Sequence, residues 1–158
     1  MTDDEATRRT VRAAVQDSRY AVLATESEGQ PHASLMAFAA IADGRELVFA
    51  TYRGTRKHRN LVANPRVALF IDHRETAWLR ANRRLALTAL GSAREVPPEQ
   101  WPSARAAFLA RHHDLQGFVD AADCVLVRRV VEWYQVAGGI DEVGWCSAAS
   151  LPAAAGGG

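Results

Sequence analysis

Between Thr51 and Arg66 the chain carries five basic residues, Arg53, Arg56, Lys57, Arg59 and Arg66, with His58 among them and no acid. Lys57 is the single lysine of the chain. Thr55 reads as the N-cap of a short helix over residues 56–63, stopped by Asn64-Pro65. The first turn of a helix exposes unpaired N–H groups and favours acids. Here Arg56 and Lys57 stand in that turn. An anion resolves the conflict: backbone N–H groups, the Thr55 hydroxyl, an arginine fork and a lysine ammonium together suit a phosphate. A solvated basic helix face accounts for the same charges, and charge alone does not decide between the two. The cluster is too localised for duplex DNA, which needs a distributed basic face.

The elements around this window are mostly strands. A helix is expected over residues 3–17. Strands over 20–25, 31–41 and 46–51, joined by a turn at 26–30 and by Asp43-Gly44, make an antiparallel meander. A fourth strand covers 66–72, and a polar connector covers 73–82. A fifth covers 85–96 and bends at Gly91. Pro97-Pro98 opens a helix with Trp101, Ala104, Phe108 and Leu109 on its inner face. His112-His113-Asp114 breaks it, and a short helical piece follows over 115–121. A sixth strand covers 124–136. Gly138-Gly139 turns the chain, and 140–146 forms the last strand. Six or seven strands with few helices between them point to a mainly β chain, a small antiparallel barrel without exposed sheet edges. No GxGxxG or GxxxxGK[ST] run occurs, which disfavours a Rossmann or P-loop nucleotide site.

The chain has 158 residues, 48% apolar and 23% charged. These values suit one domain over 1–147 and a loose Ala/Gly-rich tail over 148–158. The net charge of +1 gives no general attraction to nucleic acid or to an anionic membrane. No apolar run approaches the ~20 residues a membrane helix needs. The N-terminal residues lack the hydrophobic core of an export signal, so a cytoplasmic location is expected. Cys124 and Cys146 lie in no CxxC or Cys/His cluster. They read as reduced thiols, and no metal site is expected.

The run from Phe49 to Leu61, FATYRGTRKHRNL, followed by Asn64-Pro65-Arg66-Val67-Ala68-Leu69, resembles the signature of the pyridoxamine 5'-phosphate oxidase-like FMN-binding split barrels. Tyr20 to Thr25, Pro31 to Ser34 and Leu85 to Arg94 fit the same pattern. The resemblance covers about residues 10–147. It implies a dimer of split β-barrels of six to seven strands, with FMN in the groove between subunits. Arg56 and Lys57 would then grip the FMN phosphate, helped by the Thr55 hydroxyl. Thr51 would lie beside the ribityl chain or ring, and Ser34, Leu35, Met36 and Ala37 would line the isoalloxazine edge. Plain strand packing accounts equally for Leu35 and Met36.

The implied function is flavin-dependent redox chemistry on an unidentified small molecule or electron donor. A non-catalytic flavin carrier or electron-transfer protein is the alternative, and related barrels use a deazaflavin. The end of the chain has no arginine or histidine after Arg129, unlike the substrate-phosphate segment of a true pyridoxamine 5'-phosphate oxidase, so the substrate stays open. Asp72-His73-Arg74, Arg111-His112-His113 and Val136-Ala137-Gly138-Gly139 resemble the haem-utilisation branch. There His112 or His113 would be the haem ligand, against a reading of both as solvated helix-end histidines. Trp133, Tyr134 and Trp145 either fill the core or subunit interface or reach the flavin.

Overall fold

A strand whose residues alternate between apolar and polar must put one face on a core. The chain does this repeatedly: in Arg66–Asp72, for example, Val67, Leu69 and Ile71 are buried while Arg66, Phe70 and Asp72 face outward. The computed structural model describes residues 5–73, 85–138 and 142–152. Its helices are α1 (Glu5–Asp17), α2 (Arg56–Ala63), α3 (Trp101–Arg111) and α4 (Gln116–Val119). Its strands are β1 (Tyr20–Ser27), β2 (Gln30–Ile41), β3 (Glu46–Tyr52), β4 (Arg66–Asp72), β5 (Ala86–Glu95), β6 (Cys124–Ala137) and β7 (Val143–Ser147). The sheet runs β3-β2-β1-β4-β5-β6-β7, all antiparallel. A further β3–β6 pairing, from Glu46↔Val130 to Tyr52↔Cys124, closes six strands into a barrel and leaves β7 as an added strand.

The two faces of the strands build two cores. Leu23, Phe38, Phe49, Leu69, Leu87 and Val127 fill the barrel interior. Ala39, Val48, Ala50 and Leu126, on the opposite face, meet Ala104 and Phe108 of α3 and Val119 of α4. The stripe expected on α3 is real: Ala104 and Phe108 are buried, and Trp101 and Leu109 pack against the same cluster. α1 closes the barrel with Val11, Ala14 and Val15, spaced three and four apart as one helical face requires.

The structure departs from the sequence reading in three places. The β2–β3 turn is wider than a two-residue hairpin: Ala42, Asp43 and Gly44 all have positive φ, at 51°, 54° and 97°. A Cβ on Gly44 would meet Val15 Cγ2 at 3.0 Å, so any other residue there would press on α1 as well as hold a positive φ. The tail is not loose from Ala148 onward: Ala148 and Leu151 are buried. Arg45 Nε donates to Leu151 O at 2.6 Å, and its Nη2 to Ala149 O at 2.9 Å, so contacts with the barrel continue past residue 147. The third departure is His112, described below. Residues 74–84, which take in most of the connector expected over 73–82, residues 139–141 and residues 153–158 lie outside the described residues. Among the described residues no helix is long and apolar enough to cross a membrane.

Candidate functional site

The basic window folds into the turn between β3 and α2. Gly54, at φ 76°, takes a left-handed conformation that glycine adopts without strain. Thr55, at φ −66° and ψ 157°, is the N-cap of α2 as expected, and its Oγ1 accepts from His58 N at 3.3 Å. The same hydroxyl donates to Tyr52 O at 3.0 Å and lies 3.1 Å from Thr51 Oγ1. Thr55 therefore shapes the turn and already has its donor engaged. The cap serves the third N–H of α2, and the first helical bond runs from Arg59 N to Thr55 O at 3.0 Å. The N–H groups of Arg56 and Lys57 find no partner among the described residues, as expected for a first turn.

The structure sorts the cations that the sequence crowds together. Arg53 Nη1 donates to both oxygens of Glu95 on β5, at 3.0 and 3.1 Å. His58 Nε2 lies 2.7 Å from Glu95 Oε1. Arg59 donates to Gly54 O, and Arg66 pairs with Glu132 at 2.7 Å. Arg56 and Lys57 have no partner among the described residues. The hydrogen bond from His58, and after it the Arg53 guanidinium, hold the Glu95 carboxyl below the usual carboxylate range against the opposing effect of burial.

Beside this turn lies a cavity of about 250 Å³ lined by Leu35, Met36 and Ala37 of β2, Ala50, Thr51 and Tyr52 of β3, Thr55, Lys57, Phe108, Leu115 and Phe118. Six of the eight expected site residues thus meet on one cavity. Arg56 stands exposed at the helix start next to Lys57. Ser34 is turned away from the lining: its Oγ is 3.1 Å from His32 Nε2. The sequence reading missed Tyr52, Phe118 and Leu115 as wall residues. Tyr52 and Phe118 meet edge to face at 4.7 Å, a contact between residues 66 apart in the chain (118 − 52) that no local pattern announces. Phe108 was legible as a core residue, and it also forms part of the cavity wall. The cavity has one cationic, hydroxyl-bearing corner and is otherwise apolar, which suits a ligand with an anionic end and a flat apolar body.

A second, wider cavity of about 550 Å³ is lined by residues 17–22 with Leu35, Phe70, Asp72 and His73. Leu35 borders both cavities and is 73% exposed. His73 is buried, with Nδ1 3.2 Å from Ser18 Oγ.

His112 is not a solvated helix-end residue. It is 1% exposed, its Nε2 lies 2.8 Å from Phe38 O, and its ring lies 4.9 Å from that of Phe108. α3 ends by tucking this ring against β2, and burial pushes its pKa down. His113 is exposed, as expected. Of the late aromatics, Tyr134 is a core residue whose hydroxyl donates to Gly44 O at 2.5 Å, while Trp133 is 37% exposed on the outer sheet face.

No protein of curated function matches the chain. Among solved structures, it superposes on a haem-binding protein of Mycobacterium smegmatis with a TM-score of 0.80 at 21% identity, over 94% of this chain and 60% of that one. It therefore spans less than two thirds of that relative. An FAD-binding protein of Mesorhizobium loti gives a TM-score of 0.65 at 20% identity, over 81% of this chain and 91% of that one. The haem storage protein HutZ of Vibrio cholerae gives 0.65 at 25% identity, over 81% and 89%. The family model described as pyridoxamine 5'-phosphate oxidase matches residues 7–137, most of the barrel and the whole basic turn, and the chain belongs to that family.

Proposed function

We propose that the protein binds FMN and works as a flavin-dependent oxidoreductase on a small molecule, as a homodimer with the cofactor between subunits. One observation carries this reading. Of the basic residues in the 51–66 window, Arg56 and Lys57 alone have no side-chain hydrogen bond or ion pair among the described residues. They stand where two backbone N–H groups are open. Like charges at an electropositive helix end are held at a cost, and a phosphate monoester of about −1.5 to −2 removes it. The apolar remainder of the cavity suits the flavin ring. Bound FMN supplies hydride and electron transfer at that ring. The chain would hold the phosphate, orient the ring along Leu35, Met36 and Ala37, and keep water from its buried edge.

Two features support a second copy as the other half of the site. A cavity of about 250 Å³ is below the ~300–1,000 Å³ usual for ligand sites, and exposed Leu35 forms its rim. The outer sheet face beside it is apolar along its register rows: Val22 pairs with both Leu35 and Phe70, and Leu90 pairs with Ala68 and Trp133. Leu35, Phe70 and Trp133 are among the exposed large hydrophobics, as at a subunit interface.

The cavity wall offers no carboxylate or histidine as a general base; its titratable side chains are Lys57 and Tyr52. That favours simple hydride or electron exchange, by an enzyme or by a flavin carrier. A deazaflavin phosphate would meet the same corner. A haem role draws on the similar haem proteins, and the burial of His112 against Phe38 O argues against that residue as the ligand. The visible spectrum of the purified protein and FMN titration monitored by fluorescence quenching test the reading. A yellow protein releasing FMN on heating, or saturable FMN uptake, is expected. A colourless protein that takes up no flavin overturns it.

A further inference from the structure

The turn that carries the anion corner is fastened to a distant strand through one carboxylate. Glu95 ends β5 and pairs with Val127 across the sheet. It receives Arg53 through two hydrogen bonds of 3.0 and 3.1 Å and His58 at 2.7 Å. On its other side His58 faces the turn: Gly54 N donates to Nδ1 at 3.4 Å. With Nδ1 accepting, the ring proton belongs on Nε2, where it points at Glu95. The imidazole thus bridges the amide of the turn and the carboxylate of the strand. The imidazole side chain is 12% exposed, against 34% for Glu95, so the ring is the shielded part of the bridge.

We infer that Glu95 is the positioning residue of the anion corner: through His58 and Arg53 it fixes the 53–55 turn and engages the Arg53 guanidinium, leaving Arg56, Lys57 and the first-turn N–H groups to meet the ligand. This rests on the FMN reading for the identity of the anion. Arg56 and Lys57, which have no partner among the described residues, then face a phosphate monoester of about −1.5 to −2, where an unsorted cluster would recruit polyanions without discrimination. Without the carboxylate, the imidazole loses the acceptor that fixes its proton, the Gly54 amide loses a fixed acceptor, and the Arg53 guanidinium is released.

The experiment compares wild type with Glu95→Ala, using FMN and riboflavin as paired probes and the imidazole ¹⁵N spectrum of the cofactor-free protein as an independent readout. In wild type at pH 8 the His58 spectrum should show a protonated Nε2 and a bare Nδ1. In E95A the two nitrogens should move toward a tautomeric average. FMN affinity should fall about tenfold, with riboflavin affinity within twofold of wild type. His58→Phe should reproduce the FMN loss, since it also cuts the bridge. An equal loss for both flavins, which a merely destabilised fold would give, overturns the proposal. So does tighter FMN binding by E95A, which would make Arg53 a ligand held in check, or a mixed tautomer in wild type. If wild type binds neither flavin, the FMN reading falls, and the imidazole spectrum still decides the role of Glu95.

Discussion

The carbonyl oxygen of Val130 occupies the space where a side chain at Gly91 would begin: a Cβ there would stand 2.1 Å from it. At this point the β5–β6 register shifts, with Leu90 opposite Trp133 and Gly91 opposite Val131. Glu132 is left without a ladder partner on β5, the arrangement of a β-bulge. The buried guanidinium of Arg129 sits near the bend and donates to Val67 O at 2.9 Å and to Ala89 O. The bulge also governs the site. A one-residue slip in register turns every later side chain to the other face, and Glu95 lies four positions beyond Gly91. Gly91→Ala should therefore cost more than ~3 kcal/mol, in the range of severe single substitutions, and should also loosen the Arg53–His58 attachment. Urea unfolding checks this; an unchanged midpoint would show that the strands can part there.

Much of this arrangement was legible in the sequence, for local reasons. β4 starts and ends where alternation and Asn64-Pro65 put it, and α2 is capped by the residue whose chemistry suits a cap. Gly91 was readable as a bend because a lone glycine inside a strand has few other uses. What escaped depends on long-range contact. Glu95 reads as one more polar strand residue until the barrel brings it to His58. His112 reads as solvated because its neighbours in sequence are polar, while its neighbours in space are Phe108 and Phe38. The ordered start of the tail was hidden for the same reason: Leu151 is an isolated apolar residue in a small-residue run, and Arg45, which holds it, lies over 100 positions away.

His112 leads to a pH prediction. Burial comes first among the causes that depress its pKa; the Phe38 carbonyl and Asp114 oppose the shift, and Arg19 and Arg111 add to it. A base whose folded-state pKa is depressed stabilises the fold fully above its unfolded pKa of about 6.5. That stability is lost as pH falls through the folded value. Wild type should thus lose more stability between pH 8 and pH 5 than His112→Gln, which keeps an N–H donor and cannot titrate. Denaturant titrations at the two pH values measure the difference. Parallel losses would mean that the imidazole does not resist protonation in the fold.

Removing the unpaired cations should separate FMN from riboflavin. Each charge-assisted hydrogen bond lost is worth about 1.5–3 kcal/mol. Arg56→Ala combined with Lys57→Ala should therefore weaken FMN by more than ~2 kcal/mol, about thirtyfold. Riboflavin, which lacks the phosphate, should bind as before. Isothermal titration with both ligands decides the point. Equal weakening would place these two residues away from the phosphate.

The apolar outer rows make a prediction about assembly. Val22 lies between Leu35 and Phe70 in the register, on the face opposite the barrel core, so a charge there should be tolerated by an isolated subunit. At the centre of a subunit contact it would be stranded without a partner, at a cost of several kcal/mol. Val22→Glu should therefore leave far-UV circular dichroism and the core intact, and should shift the mass measured by light scattering from dimer to monomer. FMN affinity should fall along with it, because Leu35, at the rim of the cavity, would then face water instead of the second copy. A variant that stays dimeric would put the contact on another face. One that becomes monomeric yet binds FMN as tightly as wild type would show that a single barrel is enough to seat the cofactor.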